Sequence, residues 1–355
     1  MSVNPPIWLK SVATRVESRL SEFLQDEQDR WSGLDSDLSV PLGELARLVG
    51  SGGKRLRPAF CYLSFVGVGG DESSKQLLDT QAALELLHAS ALLHDDIIDG
   101  SSKRRGEPTS HTRYITKHAD SKWAGEARRF GEGAVILIGD LAFVYADQLM
   151  TGVNSITTKI WNEMRVEVNI GQYLDLLGSA QRERDLIRAE RVCRYKSGKY
   201  TVERPLHLGA SLAAPEQADV LLEQLSQFGL PLGDAFQMRD DVLGAFGDDS
   251  ASLTGKPIGD DLREGKPTPL LAMAYERATT SQREVLNKVG DLRMSQQELA
   301  KIQQVISDTG ALSALETKIA SLVEQSVKAI AQSSLNETAI KQLTELAEFI
   351  AARKN

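Results

Sequence analysis

The sequence predicts an all-α protein, a single large helical bundle over residues 1–355, and three observations predict it. Apolar residues recur at helical spacing along most of the chain. Alternating β-branched runs are few, and no Asn-Gly or Asp-Gly turn joins two of them. No short-period repeat and no low-complexity linker divides the chain, so one domain is expected.

Residues 8–31 read as an amphipathic helix, with Ile7, Leu9, Val12, Val16, Leu20 and Phe23 near one side. Residues 32–41 are irregular and read as a loop. Residues 75–99 make a long helix, apolar on most sides and therefore largely buried. Residues 100–130 read as a second loop, and 132–150 and 156–178 as further amphipathic helices. A long apolar helix covers 217–246 and runs into a third loop, 247–266. Several helices follow within 266–353, separated by turns such as Thr309-Gly310 and Ser333-Ser334. The stretch 112–130 is longer than a simple connector and suits a lid, a dimer contact or a solvated loop.

Composition narrows the function. With 41% hydrophobic and 25% charged residues the chain can pack a soluble core. A net charge of −8 argues against a nucleic-acid partner, which needs a concentrated basic face. Two cysteines, Cys61 and Cys193, are too few for a disulfide framework and fit a reducing cytoplasm. The N-terminus lacks the apolar core of a signal peptide, and no apolar run reaches the ~18 residues a membrane span needs. A cytoplasmic protein without a transmembrane span is expected.

The chemistry is concentrated in three stretches. LLHDDIIDGSSKRRGEPT (92–109) places Asp95, Asp96 and Asp99 at the end of the apolar helix and follows them with Lys103, Arg104 and Arg105. Residues four apart in a helix lie within roughly 40° of each other, so Asp95 and Asp99 share a face. Two carboxylates on one face repel unless a cation lies between them, and the C-terminal end of a helix disfavours negative charge further. Hard oxygen ligands of this kind suit Mg²⁺, which binds a few carboxylates together with substrate phosphates. FQMRDDVLGAFGDD (236–249) repeats the theme with Asp240 and Asp241, and TGKPIGDDLREGKPT (254–268) adds Lys256, Asp260, Asp261 and Lys266. Two Asp-bearing helices facing across a bundle would make a multi-metal diphosphate site. SGGKRLRP (51–58) adds glycines that let backbone amides approach an anion, with Lys54, Arg55 and Arg57 beside them. Its spacing is not that of a Walker loop.

These motifs, with LIGD (137–140) and YKSGKYT (195–201), stand in the order seen in the trans-isoprenyl diphosphate synthases, which the chain resembles over roughly residues 40–275. The detail DDVLG resembles the actinobacterial geranylgeranyl diphosphate synthases. The resemblance implies the isoprenoid-synthase helical bundle with a central active-site cavity, a homodimer, and Mg²⁺ as cofactor, three ions per site. It implies that Asp95, Asp99 and Asp240 ligate metal, with Asp96, Asp241 and Asp261 in support. Arg104, Lys196, Lys256 and Lys266 would contact the allylic diphosphate, and Gly53, Lys54, Arg57, His88 and Arg105 the diphosphate of isopentenyl diphosphate. Ser197, rather than Thr201, would lie beside the reacting carbons, and Gln237 would line the allylic side.

The activity implied is Mg²⁺-dependent condensation of isopentenyl diphosphate with dimethylallyl, geranyl or farnesyl diphosphate. In the family, bulky aromatics just before the first motif stop the product at fifteen carbons; Ser90 and Ala91 are small, with Leu87, Leu84 and Ala83 behind them and Phe143 and Tyr145 as candidate floor. This favours geranylgeranyl diphosphate (C20), with a C25 or longer product as the alternative. One departure is visible: many members carry DDxxD in the second motif, where this chain has Gly244 in place of the last aspartate. A non-catalytic partner subunit is a further alternative. So is a terpene cyclase, although cyclases usually lack GGKRLRP and replace the second aspartate pair. His94-Asp95 also suggests a metal phosphohydrolase, but His111, His118 and His207 offer it no convincing partner set; His94 is read instead as a helix-end residue near the diphosphate.

Overall fold

The structure, a computed structural model, describes residues 5–247 and 259–353. It is all-α, and its only strands among the described residues form a two-residue hairpin. The chain begins with α1 (Ile7–Ser32), α2 (Ser39–Gly50), α3 (Leu56–Gly67) and α4 (Lys75–Ile98). The hairpin β1 (Lys103–Arg104) and β2 (Glu107–Pro108) follows, then α5 (Ser110–Asp120), α6 (Ala127–Leu149) and α7 (Ser155–Gln181). Next come α8 (Leu186–Val192), a π-helical segment (Cys193–Glu203), α9 (Arg204–Ala213) and α10 (Ala218–Phe246). The remainder is α11 (Asp260–Glu264), α12 (Pro269–Arg277), α13 (Thr280–Leu286), α14 (Gln296–Asp308), α15 (Ala311–Ile330) and α16 (Glu337–Ala352).

Two apolar cores share the central helices. One packs Val16, Leu45, Leu84, Leu86, Ile138 and Met164 from α1, α2, α4, α6 and α7. The other packs Phe60, Leu206, Phe228, Leu232, Ile302, Leu315 and Leu343 from α3, α9, α10 and the C-terminal helices. α3 feeds both, giving Phe60 and Leu63 to one side and Cys61 and Phe65 to the other. A helix apolar on all sides has to sit between two layers in this way. α4 is likewise buried along most of its length, and Ser74 caps its start by accepting from the Leu77 amide.

Helices 8–31, 75–99 and 217–246 are found within a residue or two of the expected bounds. Two expected loops are not loops. Residues 100–130 contain the hairpin and α5, whose buried positions are Ser110, His111, Tyr114 and His118. Their spacing is helical but their side chains are polar, so an apolar count passes over them. Residues 32–41 hold a short 3₁₀ turn, Ser36–Leu38, and the start of α2. Of the third loop, residues 248–258 lie outside the described part, and 260–264 are helical.

Candidate active site

The two aspartate motifs stand at the C-terminal ends of α4 and α10 and open onto a cavity of about 230 Å³. Asp95, Asp175, Asp240, Asp241 and Asp261 line it, with Arg104, Lys196 and Lys266 among them. The cations are already engaged. Lys196 Nζ lies 2.5 Å from Asp175 Oδ2 and 3.3 Å from Asp95 Oδ1. Lys266 Nζ lies 3.0 Å from Asp99 Oδ2 and 3.6 Å from Asp261 Oδ1. Burial opposes the charge of Lys196, but Asp175 and Asp95 outweigh it and hold the ammonium well above its ordinary range. Each carboxylate near 4 Å is worth ~4 kcal/mol at an effective dielectric of 20, enough in pairs to offset a desolvation cost of several kcal/mol. Lys266 is raised in the same way, against burial, by Asp261 and Asp99.

Lys196 is positioned by an unusual backbone. It lies in the π-helical segment, whose backbone presses against Gly171 of α7. A Cβ on Gly171 would come within 2.3 Å of the Lys196 nitrogen, so only glycine permits this approach. Gly198 packs against Gly233 of α10 by the same means. The lysine is thereby set beside Asp175, one turn beyond Gly171.

A second, larger cavity of about 720 Å³ adjoins the first. Lys54, Arg57, His88, Arg105 and Arg353 line it, and the two cavities share Leu92, Arg104, Ser197, Gln237 and Asp240. Arg57 stacks its guanidinium 4.3 Å from the Tyr200 ring and donates to Thr201 Oγ1 at 2.9 Å. Burial, then Arg57 and Arg104, drive the His88 imidazole far below its usual range, so it is neutral. Its Nδ1 is buried with no hydrogen-bond partner among the described residues. Lys54 is lowered to about 8 by burial and the nearby Arg353. A buried cavity this rich in cations calls for an anion.

The acidic cavity calls for a cation. Burial pushes the Asp241 carboxyl up to about 8; the Gln237 hydrogen bond opposes this, and Asp261, Asp240 and Asp175 add to it. Asp240 is raised too, by burial, against the pull of Arg353, Lys54 and Arg57. Carboxylates whose mutual repulsion and burial favour uptake of positive charge favour a divalent ion in the same way. No three acidic, His or Cys groups close on one point among the described residues. A set of carboxylate oxygens with ammonium and guanidinium groups beside it fits Mg²⁺ shared between one or two carboxylates and substrate oxygens. Asp95 and Asp240 line the cavity and could hold it, with Asp99 beside them across Lys266.

Several expected site residues meet partners that the sequence reading did not name. Arg55, expected to add charge for an anion, pairs with buried Glu85 and with Glu17 and donates to the Val49 carbonyl. Arg105 donates to the Gly52 carbonyl at 2.6 Å, tying the glycine turn to the hairpin. Asp96 turns from the acidic cavity to the basic one, where Arg104 grips it at 2.7 and 3.1 Å. His94 faces α6, 3.2 Å from the Ile136 carbonyl oxygen, and lines neither cavity. Phe143 and Tyr145 do not form a common floor. They lie about 200° apart on α6, with Phe143 under Arg165 of α7 and Tyr145 against Phe23 of α1. Ser90 is fully buried and Ala91 half-buried, and Leu87, Ala91 and Asp95 follow at four-residue steps. Gly53 lies beside Arg105 in the basic cavity. Lys256 falls outside the described residues.

Three residues of the site escaped the sequence reading. Asp175 and Gln172 come from α7, and Gln172 donates to Asp95 Oδ1 at 2.9 Å. No local sequence signal sets Asp175 apart from a solvated acid; the structure buries it on one helical face with Gly171 and Gly178. Arg353, just after α16, pairs with Asp240 at 3.1 Å and lies 4.5 Å over the Phe236 ring; nothing in its local sequence marks it.

The polyprenyl synthetase family profile matches residues 42–309. The geranylfarnesyl diphosphate synthase of Aeropyrum pernix is 29% identical over 340 residues, 93% of this chain and 96% of that protein. The geranylgeranyl diphosphate synthase of Saccharolobus solfataricus is 31% identical over 315 residues, covering 86% and 87%. A crystal structure of geranylgeranyl pyrophosphate synthase from Corynebacterium glutamicum, complexed with isoprenyl diphosphate and magnesium, superposes with a TM-score of 0.91 at 34% identity, over 98% of this chain and 99% of that one.

Proposed function

The chain belongs to the polyprenyl synthetase family, and on that premise we infer that it adds isopentenyl diphosphate to an allylic diphosphate, with geranylgeranyl diphosphate as product. The observation that carries the reading is the junction of the two cavities. An acidic, cation-seeking pocket and a basic, anion-seeking pocket meet at Leu92, Arg104, Ser197, Gln237 and Asp240. Two diphosphates bound one in each would bring their hydrocarbon ends together there.

In this reading Asp95, Asp99 and Asp240 hold Mg²⁺, three ions per site, and Asp96, Asp241 and Asp261 support them. Mg²⁺ supplies electrostatic stabilisation of the departing diphosphate. Arg104, Lys196, Lys256 and Lys266 bind the same diphosphate, and their fixed charges favour the oxygens that gain charge as the allylic C–O bond breaks. That bond's electron pair leaves with the diphosphate, and an allylic cation remains. Gly53, Lys54, Arg57, His88 and Arg105 hold isopentenyl diphosphate so that its double bond attacks the cation and forms the new C–C bond. Ser197 and Gln237 stand between the two substrates. A proton then leaves the former isopentenyl unit, with the released diphosphate as its acceptor. Apolar walls such as Leu92, Val192 and Phe236 keep water from the cation.

The C20 assignment is supported by the small Ser90 and Ala91 and by the name of the Corynebacterium structure. The Aeropyrum relative, named for a C25 product, supports the longer alternative. A homodimer is supported by exposed apolar residues on α6 (Ile136, Leu137, Val144) and along one stripe of α7 (Val166, Ile170, Tyr173). A single catalytic domain in the cytoplasm completes the reading; no described helix is long and apolar enough to cross a membrane.

The test is a product assay with Mg²⁺, labelled isopentenyl diphosphate and each of dimethylallyl, geranyl and farnesyl diphosphate. A C20 alcohol after dephosphorylation is expected. A longer ladder would keep the chemistry and move the product class. No elongation from folded protein would overturn the reading in favour of a non-catalytic subunit or a cyclase.

A further inference from the structure

Position 244 is where the second motif departs from DDxxD, and the structure shows what fills the space. Gly244 lies on α10 one turn after Asp240 and lines the acidic cavity. A Cβ built on it would sit 2.3 Å from Asp261 Oδ2 and 3.3 Å from Asp261 Cγ. The Asp261 carboxylate thus rests directly on the Gly244 backbone, in the volume that any side chain at 244 would claim.

We propose that residues 244 and 261 are one coupled position: Asp261 supplies the carboxylate that the second motif lacks, and Gly244 is the space it occupies. This goes beyond the reading of the acidic cavity as a metal–diphosphate site but rests on it. Restoring aspartate at 244 would therefore evict a carboxylate instead of adding one.

The backbone around Asp261 is pinned, so it cannot retreat to make room. The Gly259 amide donates to the Gly244 carbonyl at 2.8 Å, joining α11 to α10. The Lys266 amide donates to the Asp261 carbonyl at 3.0 Å, and the Gly290 amide to the Leu262 carbonyl at 2.9 Å. Leu262 is itself buried in the core. An added methyl at 244 must be accommodated by rotating the Asp261 side chain away, which also loosens its contact with Lys266. Because Lys266 reaches Asp99 as well, Asp261 connects the second cluster to the first.

The test compares wild type with Gly244→Ala, Asp261→Gly, the Gly244→Ala/Asp261→Gly double variant, and the exchange Gly244→Asp/Asp261→Gly. Two readouts are taken without turnover. The first is affinity for Mn²⁺ in the presence of inorganic pyrophosphate, followed by electron paramagnetic resonance. The second is the melting temperature of the metal-free protein. Gly244→Ala is expected to weaken Mn²⁺ binding by ~10-fold, as loss of a supporting ligand does. Asp261→Gly should do the same, the double variant should be no worse than either, and the exchange should recover most of the loss. Gly244→Ala should lower the melting temperature in the wild-type background and not in the Asp261→Gly background. Additive losses in both readouts, or normal Mn²⁺ binding by Gly244→Ala, would overturn the coupling. If wild type binds no Mn²⁺ with pyrophosphate, the metal–diphosphate reading fails and this inference with it. A melting-temperature coupling that persisted there would identify the contact as structural only.

Discussion

Lys266 Nζ lies 3.0 Å from Asp99 Oδ2, although the two residues are 167 positions apart. The contact joins the end of the first aspartate helix to the segment that follows the second. With Asp261 and Glu264 also within 3.6 Å, this one ammonium balances three carboxylates. Lys266→Ala should lower turnover by ~10²-fold, the size of effect seen when a fixed charge beside a departing anion is removed. It should also lower the melting temperature more in EDTA than in millimolar Mg²⁺, because a divalent ion can replace the lost charge. Equal drops in both conditions would assign Lys266 a purely structural part.

Asp95 faces the acidic cavity from the last turn of α4 and is held by Gln172 and Lys196. Asp95→Ala is expected to lose turnover by at least ~10³-fold while keeping the wild-type circular dichroism spectrum. Near-normal turnover would remove it from the metal site.

The basic cavity should read out in a different constant. Arg57→Ala and His88→Ala remove groups proposed to touch only isopentenyl diphosphate, so KM for that substrate should rise ~10-fold or more. KM for the allylic partner should change little. A rise for the allylic substrate instead would exchange the two pockets.

Asp241 carries a pH signature. Burial raises its carboxyl to about 8 in the folded protein, against about 3.9 in an unfolded chain. The folded state therefore binds the extra proton, and its stabilising effect is full below pH ~4 and lost as pH rises through 8. In EDTA, Asp241→Asn should melt increasingly above wild type as pH goes from 5 to 8. A melting difference that stayed constant across that range would contradict the buried, protonated carboxyl.

Product length should respond to the turn before the first motif. Ala91→Phe should shorten the product to C15, because Leu87, Ala91 and Asp95 line up at four-residue steps on α4. Ser90→Phe should shorten it as well, at a cost in stability, since Ser90 is only 1% exposed and the added ring must be packed. Unchanged chain length in both variants would remove α4 from the tunnel.

Much of the scaffold was legible. The bounds of α1, α4 and α10 follow from the period of their apolar residues, because burial of one face or of all faces is written locally. α5 was not, since its inward positions are His111, Tyr114 and His118, of which Tyr114 and His118 pack against the Phe130 ring rather than through aliphatic content. The two aspartate motifs stood out because their acids are contiguous and sit at the unfavourable end of a helix dipole. Asp175 did not, because a single acid on a mixed face has the same local appearance whether it meets solvent or Lys196.

The sequence by itself determined the helical class, the family and the charge carried by each motif, since these depend on residues close in the chain. Tertiary structure alone decided the pairings. It turned Arg55 inward to Glu85, set Lys196 between Asp95 and Asp175, brought Arg353 onto Asp240 and laid Asp261 over Gly244. Such contacts depend on the packing of α3 on α4, of the π-helical segment on α7 and α10, and of α16 on α10. Coulomb and steric forces act over a few ångströms of space, whatever the separation along the chain.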